Sequence, residues 1–102
     1  MIVSMGNIGW DGTINQGYNV ASCSLGAYLG EGNGYCYAIT LTGIDYSDTE
    51  YVTLVTPVLF ATSSPVVSVS TYGLDGNLIV KFAYTSYSYG RTDFSFVVLK
   101  MP

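Results

Sequence analysis

The chain has 102 residues, of which 49% are apolar and only 10% charged, with three basic side chains, seven acidic ones, ten tyrosines and no histidine. Histidine is the usual general base near neutral pH and the commonest metal ligand, so its absence weighs against hydrolytic triads and transition-metal sites. A net charge of −4 offers neither nucleic acid nor an anionic membrane surface the basic patch that each requires.

This length suits one domain with one core, and composition leads us to expect no enzymatic activity and no cofactor. So small an ionic surface points to cover by other copies of the chain, because obligate oligomer interfaces resemble a domain core cut in half. No stretch approaches the roughly 18 apolar residues of a membrane helix, and no basic region precedes an apolar one at the start. Neither membrane insertion nor a Sec-type signal is therefore expected.

In chain order, residues 1–10 read as the end of a shaft or linker, and residues 8–14 as an irregular first strand. Trp10 within it reads as a core anchor or interface plug before it reads as a ligand platform. Residues 18–25 (YNVASCSL) and 35–42 (YCYAITLT) flank a loop, 26–34, with four glycines, and form a hairpin. Residues 51–56 (YVTLVT) add a strand that Pro57 either ends or confines to an edge, since proline cannot donate to a ladder. Residues 66–72 (VVSVSTY) and 78–84 (LIVKFAY) are joined by GLDGN, whose residues tolerate positive φ, and make a second hairpin. Residues 94–100 (FSFVVLK) close the series.

Helical spacing of apolar residues nowhere outlasts about one turn. Six to seven short strands at such intervals define an all-β chain, an antiparallel β-sandwich or small barrel. Alternation puts Leu78, Val80, Phe82 and Tyr84 on one face and Phe94, Phe96 and Val98 on another, and the two faces meet in the core. Their opposite sides are not cleanly polar: Ile79 and Ala83 flank Lys81, and Val97 and Leu99 sit beside Ser95. A last strand apolar on both faces wants cover on both, from a neighbouring subunit or from a second sheet and a loop.

Candidate chemistry is sparse. Cys23 and Cys36 are symmetric about the 26–34 loop and in that register would face each other. Direct cross-strand disulfides are strained, however, and two free thiols are the preferred reading. Neither has a histidine to activate it. Asp45, Asp48 and Glu50 space oxygen ligands in a way Ca²⁺ can use, but the run lacks the EF-hand pattern and its glycine, so a solvated turn is the default and no metal is expected. The glycine clusters at 30–34 and 73–76 lead into no helix and are turns, not phosphate cradles. The segment YTSYSYGR, residues 84–91, has the composition of a contact loop: tyrosine plates, adaptable hydroxyls and one guanidinium. Tyr87, Tyr89 and Arg91 are the candidate ligand-binding residues there, and Tyr28 in the first hairpin loop joins them if both loops reach one end. The competing reading has these tyrosines closing the end of the barrel or packing across a subunit boundary.

The order and spacing of several motifs carry a resemblance. The stretches DGTI (11–14), YNVAS (18–22) and YCYAITL (35–41), then IDYSDTEYV (44–52), VSTY (69–72) and DFSFVVL (93–99), are together similar to C-terminal tip domains of tailed-phage tail fibres, over about residues 12–99. That resemblance implies a homotrimer at the distal end of a virion fibre, assembled in the bacterial host cytoplasm and attaching to a host cell-surface glycan or protein. The alternative is a structural trimerisation or virion-decoration module with no ligand of its own. A carbohydrate-binding module of a secreted enzyme is a weaker third reading.

Overall fold

The computed structural model describes residues 1–26, 36–58, 68–83 and 89–102, and over these the chain is all-β. The described strands are β1 (Ile2–Ile8), β2 (Ile14–Tyr18), β3 (Val20–Gly26), β4 (Cys36–Leu41), β5 (Tyr51–Pro57), β6 (Ser68–Leu74), β7 (Asn77–Ala83), the two-residue β8 (Tyr89–Gly90) and β9 (Phe94–Lys100). They build two antiparallel sheets, one in the order β2-β1-β9-β5 and the other in the order β3-β4-β7-β6, with β8 also pairing to β7. The expected antiparallel sandwich is the fold observed.

Where strand grammar is strongest, the expectation holds closely. Strand β9 has the expected bounds, and β6 and β7 form the expected hairpin with Leu74 opposite Asn77. Their two-residue loop has positive φ at both positions, 53° at Asp75 and 80° at Gly76, the primed turn whose twist matches the flanking strands. Gly76 is required twice over, because a Cβ there would also lie 2.6 Å from Asp45 Oδ1.

Three expectations need correction. Residues 2–8 are not a linker but β1, an interior strand of its sheet between β2 and β9. The run 8–14 is chiefly the turn between β1 and β2, not a strand. The expected strand 18–25 breaks at Asn19, whose φ of 56° bends the chain out of one sheet and into the other. Asn19 tolerates the left-handed region, and its carbonyl accepts from the Thr42 amide at 3.0 Å.

The thiols also sit elsewhere than loop symmetry suggests. Cys23 lies opposite Ile39 and Cys36 opposite Gly26, three residues from the symmetric register. An odd shift exchanges faces, so Cys23 packs against the inter-sheet core while Cys36 is buried on the far side of its sheet. Both are free. The large rings decide the register: Tyr37 fills the core, and Cys36, its neighbour, must point away.

The core is an aromatic chain between the sheets. Tyr37 packs edge-on against Phe82 and Phe94 at centroid distances of 5.9 and 4.9 Å, and Phe94 continues to Phe96 at 6.4 Å. Ile8, Ile39, Leu41, Leu78, Val80 and Val98 complete it. Gly6 of β1 sits under Phe96, and a Cβ there would approach the ring to 2.9 Å.

The outer faces differ. In the β3-β4-β7-β6 sheet, Cys36, Ala38 and Ile79 are buried on the outside as well, against Tyr72 and Leu74. In the β2-β1-β9-β5 sheet the outside is open: Met5, Tyr18, Val52 and Leu54 are exposed. The cover on both faces expected for β9 is thus found for β4 and β7, whereas Ser95 of β9 is exposed and Val97 and Leu99 are half-buried.

The sandwich has two distinct ends. Ile8, Phe94, Cys36 and Ala83 lie at one, and Met1, Lys100, Leu41 and the Asp75-Gly76 turn at the other. Both termini belong to the second, where the Lys100 amide donates to Met1 O at 3.0 Å and the Met101 amide to Glu50 O at 2.8 Å. Replacing Gly76→Ala is expected to cost about 1–2 kcal/mol, the left-handed penalty of an ordinary residue. The urea midpoint falls while the slope stays constant, and an unshifted midpoint would refute the turn geometry.

Candidate functional site

The end remote from the termini is where exposed aromatic and charged groups come together. Between β1 and β2 the chain makes a tight turn, with the Gly9 amide donating to Thr13 O at 2.7 Å and the Gly12 amide to Gly9 O at 2.9 Å. Gly12, at φ 90°, permits it. The Thr13 amide donates to Asp11 Oδ1 at 3.0 Å, and the Thr13 side chain first, with this amide second, holds the Asp11 carboxyl below its ordinary pKa by hydrogen bonding.

Trp10 projects from this turn. Its amide donates to Asp93 Oδ1 at 2.7 Å, and its carbonyl accepts from the buried Tyr37 hydroxyl at 2.7 Å. The Val58 amide donates to Asp93 O at 2.7 Å, and the buried Thr92 hydroxyl donates to Val58 O. The backbone beneath the indole is therefore pinned from both sheets, but Trp10 as a whole is 48% exposed. Arg91 lies over it, with Cζ 5.8 Å from the ring centroid, a cation–π arrangement. The expectation of Trp10 as a core anchor is corrected accordingly: Tyr37 is the anchor, and the indole is a supported surface plate.

Among the four expected contact residues, Arg91 stands in this cluster. Tyr89 lies in β8 and pairs with Ala83 at the same end. Tyr28 and Tyr87 lie outside the described residues. The strand ends that bracket them are informative nonetheless. Gly26 and Cys36 flank residues 27–35, and Ala83 and Tyr89 flank residues 84–88. All four sit at the Trp10 end, as do Val58 and Ser68, which flank residues 59–67. Topology therefore brings the attachment points of both tyrosine-bearing segments to the pole that carries Trp10 and Arg91.

The acidic run lies at the opposite pole. Asp45 abuts Gly76, and Glu50 accepts from the Ser47 hydroxyl at 3.4 Å and pairs with Lys100 at 3.5 Å. Among the described residues no group of three or more histidine, cysteine or carboxylate side chains converges as a metal-ion site would require. Cys23 is desolvated, which pushes its thiol up to about 11, the opposite of what a nucleophile needs.

Trp10 is the residue that sequence reasoning undervalued. Its flanks, Gly9 before and Asp11-Gly12 after, are turn residues, and a tryptophan in a tight turn has little chance of reaching a core. Comparison with protein-family models, curated proteins and solved structures finds no match to this chain.

Two outcomes follow from this geometry. Tyr37→Phe removes the hydroxyl beneath Trp10 and is expected to cost about 1 kcal/mol. It also alters the emission of this sole tryptophan, and unchanged emission would mean that the hydroxyl does not hold the turn. For Cys23, the folded state keeps the proton longer than the unfolded chain does. Its contribution is therefore intact below pH 9 and is lost as pH rises from the ordinary thiol value of 9.0 to about 11. Comparing the urea midpoint of wild type with that of Cys23→Ala across this window isolates the effect from tyrosine titration, and parallel pH curves would contradict it.

Proposed function

We propose that this chain is a non-enzymatic receptor-binding domain, the tip of a phage tail fibre, working as a homotrimer on the virion and gripping a host cell-surface glycan or protein. The observation that carries this reading is the half-exposed Trp10, braced from below by Tyr37 and flanked by Arg91, at the pole opposite both chain termini. An indole plate beside a guanidinium and the Asp11 carboxylate suits a saccharide, whose C–H faces stack on aromatic rings and whose hydroxyls accept and donate hydrogen bonds. It suits equally the aromatic and arginine anchors of protein contacts. The attachment of the Tyr28 and Tyr87 segments at the same pole supports a contact surface wider than one residue.

The second reading, a structural trimerisation or decoration module, is favoured by one observation of its own, the open apolar face of the β2-β1-β9-β5 sheet. The two readings separate by mutation. Trp10→Ala and Arg91→Ala are each expected to weaken adsorption of the purified domain to host cells at least about tenfold, the loss typical of an interface anchor, with molecular mass by light scattering unchanged. Undiminished adsorption by both variants would remove the receptor reading and leave the structural one.

A further inference from the structure

We infer that the outer face of the β2-β1-β9-β5 sheet is the surface through which copies of this chain associate. This rests on the oligomeric part of the proposed function and names the surface that it uses.

Register fixes the composition of the face. Tyr18 of β2 stands opposite Met5 of β1, Met5 opposite Val97 of β9, and Val97 opposite Leu54 of β5. These four side chains make an unbroken apolar row across all four strands. Beside it runs a shorter row in which Leu99 stands opposite both Ile2 and Val52. Leu54 is 60% exposed and Tyr18 54%, and between these two edge-strand residues Met5 of the interior strand β1 is exposed as well. On the other flank Gln16, Asn7, Ser95 and Thr56 form a polar row. Its members bond to one another or to neighbours: Asn7 Nδ2 donates to Ser95 Oγ at 3.0 Å, and Asn15 Nδ2 donates to Asn7 Oδ1 at 2.9 Å. The shallow groove between the two rows is floored by Gly6 and Gly17. The whole is an apolar centre with a hydrogen-bonded rim, the anatomy of a protein interface.

Charge selects the occupant. No described side chain on this face is acidic or basic. The described acids lie at the poles, with Asp11 and Asp93 beside Trp10, and Asp45, Asp48, Glu50 and Asp75 at the other end. Copies of a chain with net charge −4 repel one another at either pole and meet without like-charge cost only along a neutral side. A basic partner would find nothing here to pair with, and an anionic membrane no cation. Size fits as well. Four strands about 4.8 Å apart and seven residues at about 3.3 Å each give a face roughly 20 Å square in projection. Side-chain relief raises that to several hundred Å² of accessible surface, of the order that each partner contributes to a specific complex.

The test uses the full chain. Leu54→Lys and Tyr18→Lys, placed at opposite ends of the apolar row, are measured by light scattering against wild type. Ser24→Lys, exposed on the other sheet, controls for the added charge. Circular dichroism and thermal melting check folding, and should one variant fail to fold, the other carries the test. Wild type and Ser24→Lys are expected at a multiple of the 10.9 kDa chain mass. The two face variants are expected as folded monomers at the same concentration, with association weakened at least tenfold. Folded face variants that keep the wild-type mass would overturn this assignment while leaving the oligomer itself standing. A monomeric wild type would overturn both the face and the oligomeric reading.

Discussion

One buried side chain fastens this molecule together. Tyr37 belongs to β4, yet its ring packs between Phe82 of its own sheet and Phe94 of the other, and its hydroxyl reaches past the core to the carbonyl of Trp10. A buried phenol needs a hydrogen-bond partner, because leaving the group dry costs more than the bond itself returns. Satisfying it on the β1–β2 turn locks that turn to the opposite sheet. The register of β4 follows from the same ring, as does the placement of Cys36 on the outside, and the half-exposed Trp10 gains a rigid base.

The two outer faces then divide the molecule's tasks. The β3-β4-β7-β6 sheet is buried on both sides at its two middle strands, with even Lys81 nearly inaccessible. The β2-β1-β9-β5 sheet is buried on one side only. Charge is pushed to the poles, apolar surface to one flank, and the exposed tryptophan to the pole away from the termini. Such segregation is what the proposed association along one flank and the proposed target contact at one pole draw on.

Much of the fold was legible in the sequence, and the reasons for the exceptions are physical. Residues 94–100 are a run of aromatic and β-branched side chains that begins just after the polar Thr92-Asp93 pair, so β9 was readable to the residue. The Asp75-Gly76 dipeptide specified its turn because few other pairs tolerate two positive φ values. Strand β1 was not readable, because IVSMGNI contains a glycine where a strand wants a side chain. Gly6 is there for Phe96, ninety positions later, and local propensity carries no trace of so distant a contact. Asn19 was hidden inside a good strand pattern, since a single left-handed residue leaves the flanking alternation intact. The thiol register failed because loop symmetry was trusted over side-chain size. Of the candidate site, Arg91 was legible from its tyrosine-rich setting. The core-anchor reading of Trp10 failed because hydrophobic weight was counted without the turn that holds the residue at the surface.

The bend at Asn19 has a mechanical meaning. Strands β2 and β3 are edge strands of different sheets, yet they are one run of chain folded over a single residue and fixed by the Thr42 amide. On the opposite margin the edge strands are β5 and β6, successive strands that belong to different sheets. At the β2–β3 margin the two leaves are thus bound like a book along a spine of continuous chain. The other margin has a latch of a different kind: the Tyr46 amide donates to Gly76 O at 2.9 Å and its hydroxyl bonds Thr53 Oγ1 at 2.7 Å, so one side is hinged by continuous backbone and the other clasped by a single residue.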